Sequence, residues 1–129
     1  CRIENPIIMK NSFLGKRIRG GGYAIKGAWL LLKHEPSIQV QFVISILVCI
    51  AGWYFEITNT EWIFQFLAIG LVMSTEGLNT AMEAMADFVH PDFHNKIGHI
   101  KDVAAGAVFI AALIAVIVAC FIYIPYLTA

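Results

Sequence analysis

The sequence predicts an all-α membrane protein, with an N-terminal amphipathic surface helix followed by three transmembrane helices. Three observations carry this. Of 129 residues, 59% are apolar and only 14% charged, and the mean hydropathy is +0.73. An average soluble domain is about half apolar and about a quarter charged. The composition therefore excludes an ordinary cytosolic globule and a disordered chain. A membrane span takes about 20 residues, so the length holds three spans and one non-spanning segment. Finally, the net charge of zero is unevenly laid out. Residues 1–35 hold seven bases and two acids (+5), and the remainder holds two bases and seven acids (−5).

The first element covers about residues 11–34. Ile18, Tyr23, Ile25, Ala28, Trp29 and Leu30–Leu32 recur at roughly helical spacing among basic residues. Such a helix lies at the headgroups, its apolar side down and its basic side toward phosphates. Gly20-Gly21-Gly22 is expected to weaken or kink it. The triplet reads either as a hinge or as a place where a ligand approaches the backbone; the GxxxxGK[ST] phosphate loop is absent. Nothing before residue 34 has the apolar core of a signal peptide.

The first span, residues 38–55, carries no charge. The short acidic turn Glu56–Glu61 makes the next span antiparallel to it. That second span, residues 62–89, is apolar to Met73 and then carries Ser74, Thr75, Glu76, Asn79, Thr80, Glu83 and Asp87. A loop from His90 to Lys101 leads to the third span, residues 103–127, again uncharged. The chain reads as one domain over residues 1–129, without repeats or a long linker. Basic residues near apolar spans report orientation, so the N-terminal segment and the Lys96/Lys101 loop are expected on the cytoplasmic side. They are poor evidence for nucleic-acid binding, and no such partner is expected. Trp29, Trp53 and Trp62 lie near span ends, as interfacial anchors do. Cys1, Cys49 and Cys120 are too scattered for a zinc site or disulfide framework.

Glu76, Asn79, Thr80, Glu83 and Asp87 are spaced +3, +4, +7 and +11, which places them on one helix face. Carboxylates on a membrane helix face a partner, a metal or water by default. The other reading is an early helix end, with residues 76–87 a solvated surface helix. Lys101-Asp102 stands before the third span and is expected at its N-terminus, where anions are favoured. There the lysine is either a phosphate clamp or an ordinary snorkelling side chain. Glu35, just before the first span, falls on the same side as Glu83. Two carboxylates meeting there suit magnesium together with nucleotide phosphate oxygens; the alternative for Glu35 is a helix-start acid. His90, His94 and His99 recur every four or five residues, and without Cys partners they read as surface or nucleotide contacts.

Glu76-Gly77-Leu78-Asn79-Thr80-Ala81-Met82-Glu83, then Asp87, then Lys101-Asp102-Val103-Ala104-Ala105-Gly106-Ala107-Val108 resembles the small bacterial integral-membrane lipid kinases, the prokaryotic diacylglycerol kinase and undecaprenol kinase family. The resemblance extends over about residues 16–127. It implies a homotrimeric helical bundle whose active sites are shared between subunits at the cytoplasmic face of the bacterial inner membrane. ATP is then the co-substrate, a membrane lipid the acceptor, and Mg2+ the cofactor.

Carried onto this sequence, the resemblance implies that Glu76 is the general base, with Asn79 orienting it or the substrate. Glu35 and Glu83 would hold magnesium. Lys101 and Asp102 would bind nucleotide, Lys101 on phosphate, with Asp87 lining the same site. Asp92, Phe93 and His94 match the segment meeting the base and sugar, and Lys16 and Tyr23 match N-terminal contacts. The triple glycine departs from the family pattern and leaves Arg17 and Arg19 as alternatives to Lys16. Ile38 stands where relatives often carry an aromatic.

The function expected is ATP- and Mg2+-dependent phosphorylation of a lipid primary hydroxyl. Glu61-Trp62-Ile63, the Asn79–Glu83 segment and His90-Pro91 lean toward undecaprenol, with diacylglycerol as the alternative acceptor. Two readings of other classes are a small proton-coupled transporter using Glu76, which would have no need of Lys101-Asp102, and a non-catalytic assembly subunit.

Overall fold

A computed structural model describes residues 12–129; Cys1, Arg2 and Lys10 lie outside them. Every regular element in that range is a helix. These are α1 (Ser12–His34), α2 (Pro36–Phe55), α3 (Asn59–Val89) and α4 (Asn95–Thr128). The all-helical expectation holds. The chain divides into two units, residues 1–35 and 36–129.

In the first unit, α1 runs unbroken through Gly20-Gly21-Gly22. Space for a side chain is open at all three glycines. Each glycine costs a helix about 1 kcal/mol relative to alanine, which weakens α1 without breaking its hydrogen bonds. The helix stops where Pro36 makes a helical conformation unfavourable for Glu35.

The second unit is α2, α3 and α4. Among the described residues α2 and α4 are long and apolar enough to cross a membrane; α3 carries the polar stripe. The α2–α3 turn is built by capping. Glu56 adopts a left-handed φ of 53°. Around it the Ile57 amide donates to Gly52 O and the Glu56 amide to Trp53 O, the paired bonds of a Schellman motif. Gly52 allows a close approach there: a Cβ would sit 3.0 Å from both the Ile57 and Trp62 side chains. Thr58 then opens α3 with a capping box. Its amide donates to Glu61 Oε1 at 2.9 Å, and the Glu61 amide to Thr58 Oγ1 at 3.2 Å.

Polar groups tie the three helices together between the turn and the bundle centre. Gln65 is 3% exposed. Its Nε2 donates to Cys49 Sγ at 3.9 Å, while Tyr123 Oη lies 2.5 Å from Gln65 Oε1 and 3.0 Å from Val48 O. Tyr126 Oη donates to Glu61 Oε1 at 2.5 Å. Phe55 packs its ring near those of Tyr123 and Tyr126, with centroids 6.1 and 6.0 Å away. Toward the other end lies an interhelical cavity of about 300 Å³, lined mainly by aliphatic side chains with Gln41, Ser45 and Gln65 among them.

Candidate functional site

The polar stripe sits on the second half of α3. Helical geometry advances the chain about 1.5 Å per residue, so Glu76 to Asp87 covers roughly 16 Å of one face. Glu76 is buried, at 9% exposure. Gln65, Ile69 and Val72, which line the cavity, share its face at spacings of −11, −7 and −4. Glu76 thus lies one helical turn beyond Val72, on the face of α3 that lines the cavity.

One turn further on, Asn79 Nδ2 donates to Glu83 Oε1 at 3.2 Å. The Asn79 Oδ1 is enclosed and accepts no hydrogen bond. Glu83 and Asp87 are exposed. Asp87 Oδ1 receives the Lys101 ammonium at 2.5 Å, a contact that bridges the α3–α4 loop. The structure therefore joins Asn79 to Glu83, and Asp87 to Lys101, along one stripe.

The loop is ordered by its histidines. The His90 amide donates to Ala86 O and closes α3, while its Nδ1 lies 2.7 Å from Asp92 O. His94 is the N-cap of α4: its Nδ1 accepts from the Lys96 amide at 3.1 Å. The two rings meet edge-on at 5.3 Å. This corrects one expectation. Helix α4 begins at Asn95, because His94 supplies an acceptor for its first amides. Lys101 and Asp102 therefore lie in its second turn, beyond the amides that attract an anion. Asp102 is exposed and Phe93 is 86% exposed.

Lys16 and Tyr23 are exposed on α1, and Glu35 is half-buried at its end; the Glu35 amide donates to Leu31 O. These three belong to the first unit.

Glu83 is a donor of the kind magnesium takes. Mg2+ takes hard oxygens, commonly one or two carboxylates completed by water and substrate phosphates. Glu83 is exposed and offers such a carboxylate, while the Asn79 Oδ1 beside it is enclosed and unpartnered. Among the described residues no three His, Cys, Asp or Glu come together as a metal cluster.

The sequence reading missed the Gln65–Tyr123 and Glu61–Tyr126 contacts. The signals available were an amide within an apolar run and two tyrosines three residues apart near the end of α4. The Asp87–Lys101 pairing was also missed, although both residues had been singled out.

Two helices long and apolar enough to cross a membrane, a buried acid on α3, and acids and a lysine beyond it suit a membrane protein that carries polar chemistry. The sequence pattern of prokaryotic diacylglycerol kinase matches residues 22–123. The chain is 35% identical over 105 residues to undecaprenol kinase of Bacillus subtilis (strain 168), covering 81% of this chain and 85% of the relative. To diacylglycerol kinase of Escherichia coli (strain K12) it is 30% identical over 108 residues, covering 81% and 86%. To the diacylglycerol kinase of Haemophilus influenzae it is 28% identical, covering 84% and 92%. The chain belongs to the prokaryotic diacylglycerol kinase family. It is accordingly a lipid kinase, a phosphotransferase.

Proposed function

We propose that this lipid kinase transfers the γ-phosphoryl group of ATP, with Mg2+, to the primary hydroxyl of undecaprenol. The observation that carries the reading is the α3 stripe, in which buried Glu76 is followed by the Asn79–Glu83 contact and the Asp87–Lys101 pair. Phosphoryl transfer needs an aligned nucleophile and neutralised phosphate charge more than covalent help from the protein. The lipid oxygen attacks the γ-phosphorus, the bond to the β–γ bridging oxygen breaks, and ADP leaves. Glu76 takes the hydroxyl proton, with Asn79 beside it fixing the neighbouring Glu83 carboxylate. Glu83 and Glu35 would hold Mg2+, which would supply neutralisation of the phosphate charge. Lys101 meets the phosphates from α4, and Asp102, Asp92, Phe93 and His94, with Lys16 and Tyr23 of α1, form the nucleotide's surroundings.

The aliphatic cavity wall on the Glu76 face of α3 supports a lipid acceptor arriving from the bilayer. In this reading α3 also spans the membrane, as the second of three spans in chain order, and α1 lies at the headgroups. The whole is a homotrimer with sites shared between subunits. The excess of basic residues flanking the apolar helices supports an active site on the cytoplasmic face of the inner membrane.

The undecaprenol preference rests on the Glu61-Trp62-Ile63 and His90-Pro91 segments, and on 35% identity to an undecaprenol kinase against 30% to a diacylglycerol kinase. The test is phosphate incorporation from ATP into each lipid by the purified protein. Faster transfer to undecaprenol is expected. Equal or reversed rates would remove the preference, and no transfer to either lipid would remove the kinase assignment for this site.

A further inference from the structure

We infer that Asp87 is a positioning residue: it holds the Lys101 ammonium for the phosphate and does not itself touch the nucleotide. The inference rests on the reading of Lys101 as the phosphate ligand.

The geometry is specific. Lys101 Nζ lies 2.5 Å from Asp87 Oδ1, and the two residues stand on opposite sides of the loop that joins α3 to α4. Asp87 is one turn beyond Glu83 on the same face of α3. The contact therefore draws the lysine from α4 toward the stripe that carries the proposed magnesium ligand. Asp102, although adjacent in sequence, lies about 100° around the helix from Lys101 and cannot do the same.

Stability does not explain the pair. Its side chains are 38% and 60% exposed, and exposed ion pairs add little to folding. Orientation does explain it. A lysine has a flexible four-carbon stem, and fixing it from a fully mobile state costs rotamer freedom. Because α4 begins six residues earlier, the backbone amides of its first turn do not help Lys101 to meet an anion. Asp87 supplies the missing restraint before nucleotide arrives. An ammonium has three donors, so one held by Asp87 leaves two for phosphate oxygens. Asp87 itself suits the nucleotide poorly, since a carboxylate against phosphate repels it.

The test is steady-state kinetics with ATP and lipid, comparing wild type, Asp87→Asn and Asp87→Glu, with the thermal midpoint in detergent recorded for each. Asp87→Asn is expected to lower kcat about tenfold while the KM for ATP stays within about twofold, since alignment rather than binding is lost. Asp87→Glu, which keeps the charge, should recover to within about threefold of wild type. Thermal midpoints should not move. A raised KM at unchanged kcat would overturn the inference in favour of direct nucleotide contact, and unchanged kinetics would overturn it in favour of an idle surface pair. So would equal losses in both variants. Failure of the underlying reading shows elsewhere: wild type would transfer no phosphate to lipid, or Lys101→Ala would turn over normally.

Discussion

At the residue scale, Glu76 differs from the other acids of its stripe because it is buried while Glu83 and Asp87 are exposed. A base that meets a lipid hydroxyl belongs at the enclosed end of the stripe, and a ligand for phosphate-bound metal at the open end. Glu76→Gln keeps the shape and removes the proton acceptor. It should retain ATP binding and assembly yet lose about 10²–10⁴-fold in kcat, the range for a positioned general base. Parallel measurements of nucleotide affinity and lipid phosphorylation check this; wild-type turnover would withdraw the role. The spacing of the acids was legible in the sequence because one helix dictates which residues share a face. Their partners were not. Asp87 and Lys101 stand fourteen residues apart across a loop, and only the fold decides which acid the lysine meets. Gln65 and Tyr123 are separated by 58 residues, and no periodicity links them.

At the element scale, apolar runs and turn residues revealed the helices, whereas their ends depended on capping. The uncharged runs announced α2 and α4, but the start of α4 turned on one side chain, His94, accepting from the Lys96 amide. Histidine is a less common N-cap than Ser, Thr, Asp or Asn, so residues 95–101 read as loop and Lys101-Asp102 as the helix start. The α2–α3 turn shows the opposite case. Its paired Schellman bonds place Glu56 at a left-handed φ of 53°, where glycine is the unstrained residue. A side chain there costs about 1–2 kcal/mol, partly offset by the greater chain freedom of an unfolded glycine. Glu56→Gly should therefore raise stability by roughly 0.5–1 kcal/mol. Gly52→Ala should do the reverse, because its methyl would press on Ile57 and the Trp62 ring at 3.0 Å. Overpacking of that kind costs about 1–3 kcal/mol. Unfolding in mixed micelles reads both changes, and a stable Gly52→Ala protein would deny the close approach its importance.

At the scale of the whole molecule, the acids divide between two places that do different work. Those on the second half of α3 gather with Lys101, while Glu61 lies at the opposite end of that helix and fastens the α2–α3 turn to α4. The Tyr126 hydroxyl, followed by the Thr58 amide, holds the Glu61 carboxyl below its ordinary value of 4.5. A carboxyl whose folded pKa is depressed contributes stability that is fully present above the unfolded pKa. That contribution is lost as pH falls through the folded pKa. The clasp should therefore be intact at neutral pH and weaken below about pH 4.5. Wild type should lose resistance to unfolding across that acid range more steeply than Glu61→Gln, whose side chain cannot titrate. Tyr126→Phe removes the largest cause of the shift, so its share of the acid loss should shrink and move toward the ordinary carboxylate range. Thermal midpoints in detergent, measured from about pH 6 to about pH 3, would show it. Parallel acid limbs in wild type and Glu61→Gln would mean that the fastening of α4 to the turn owes nothing to this charge.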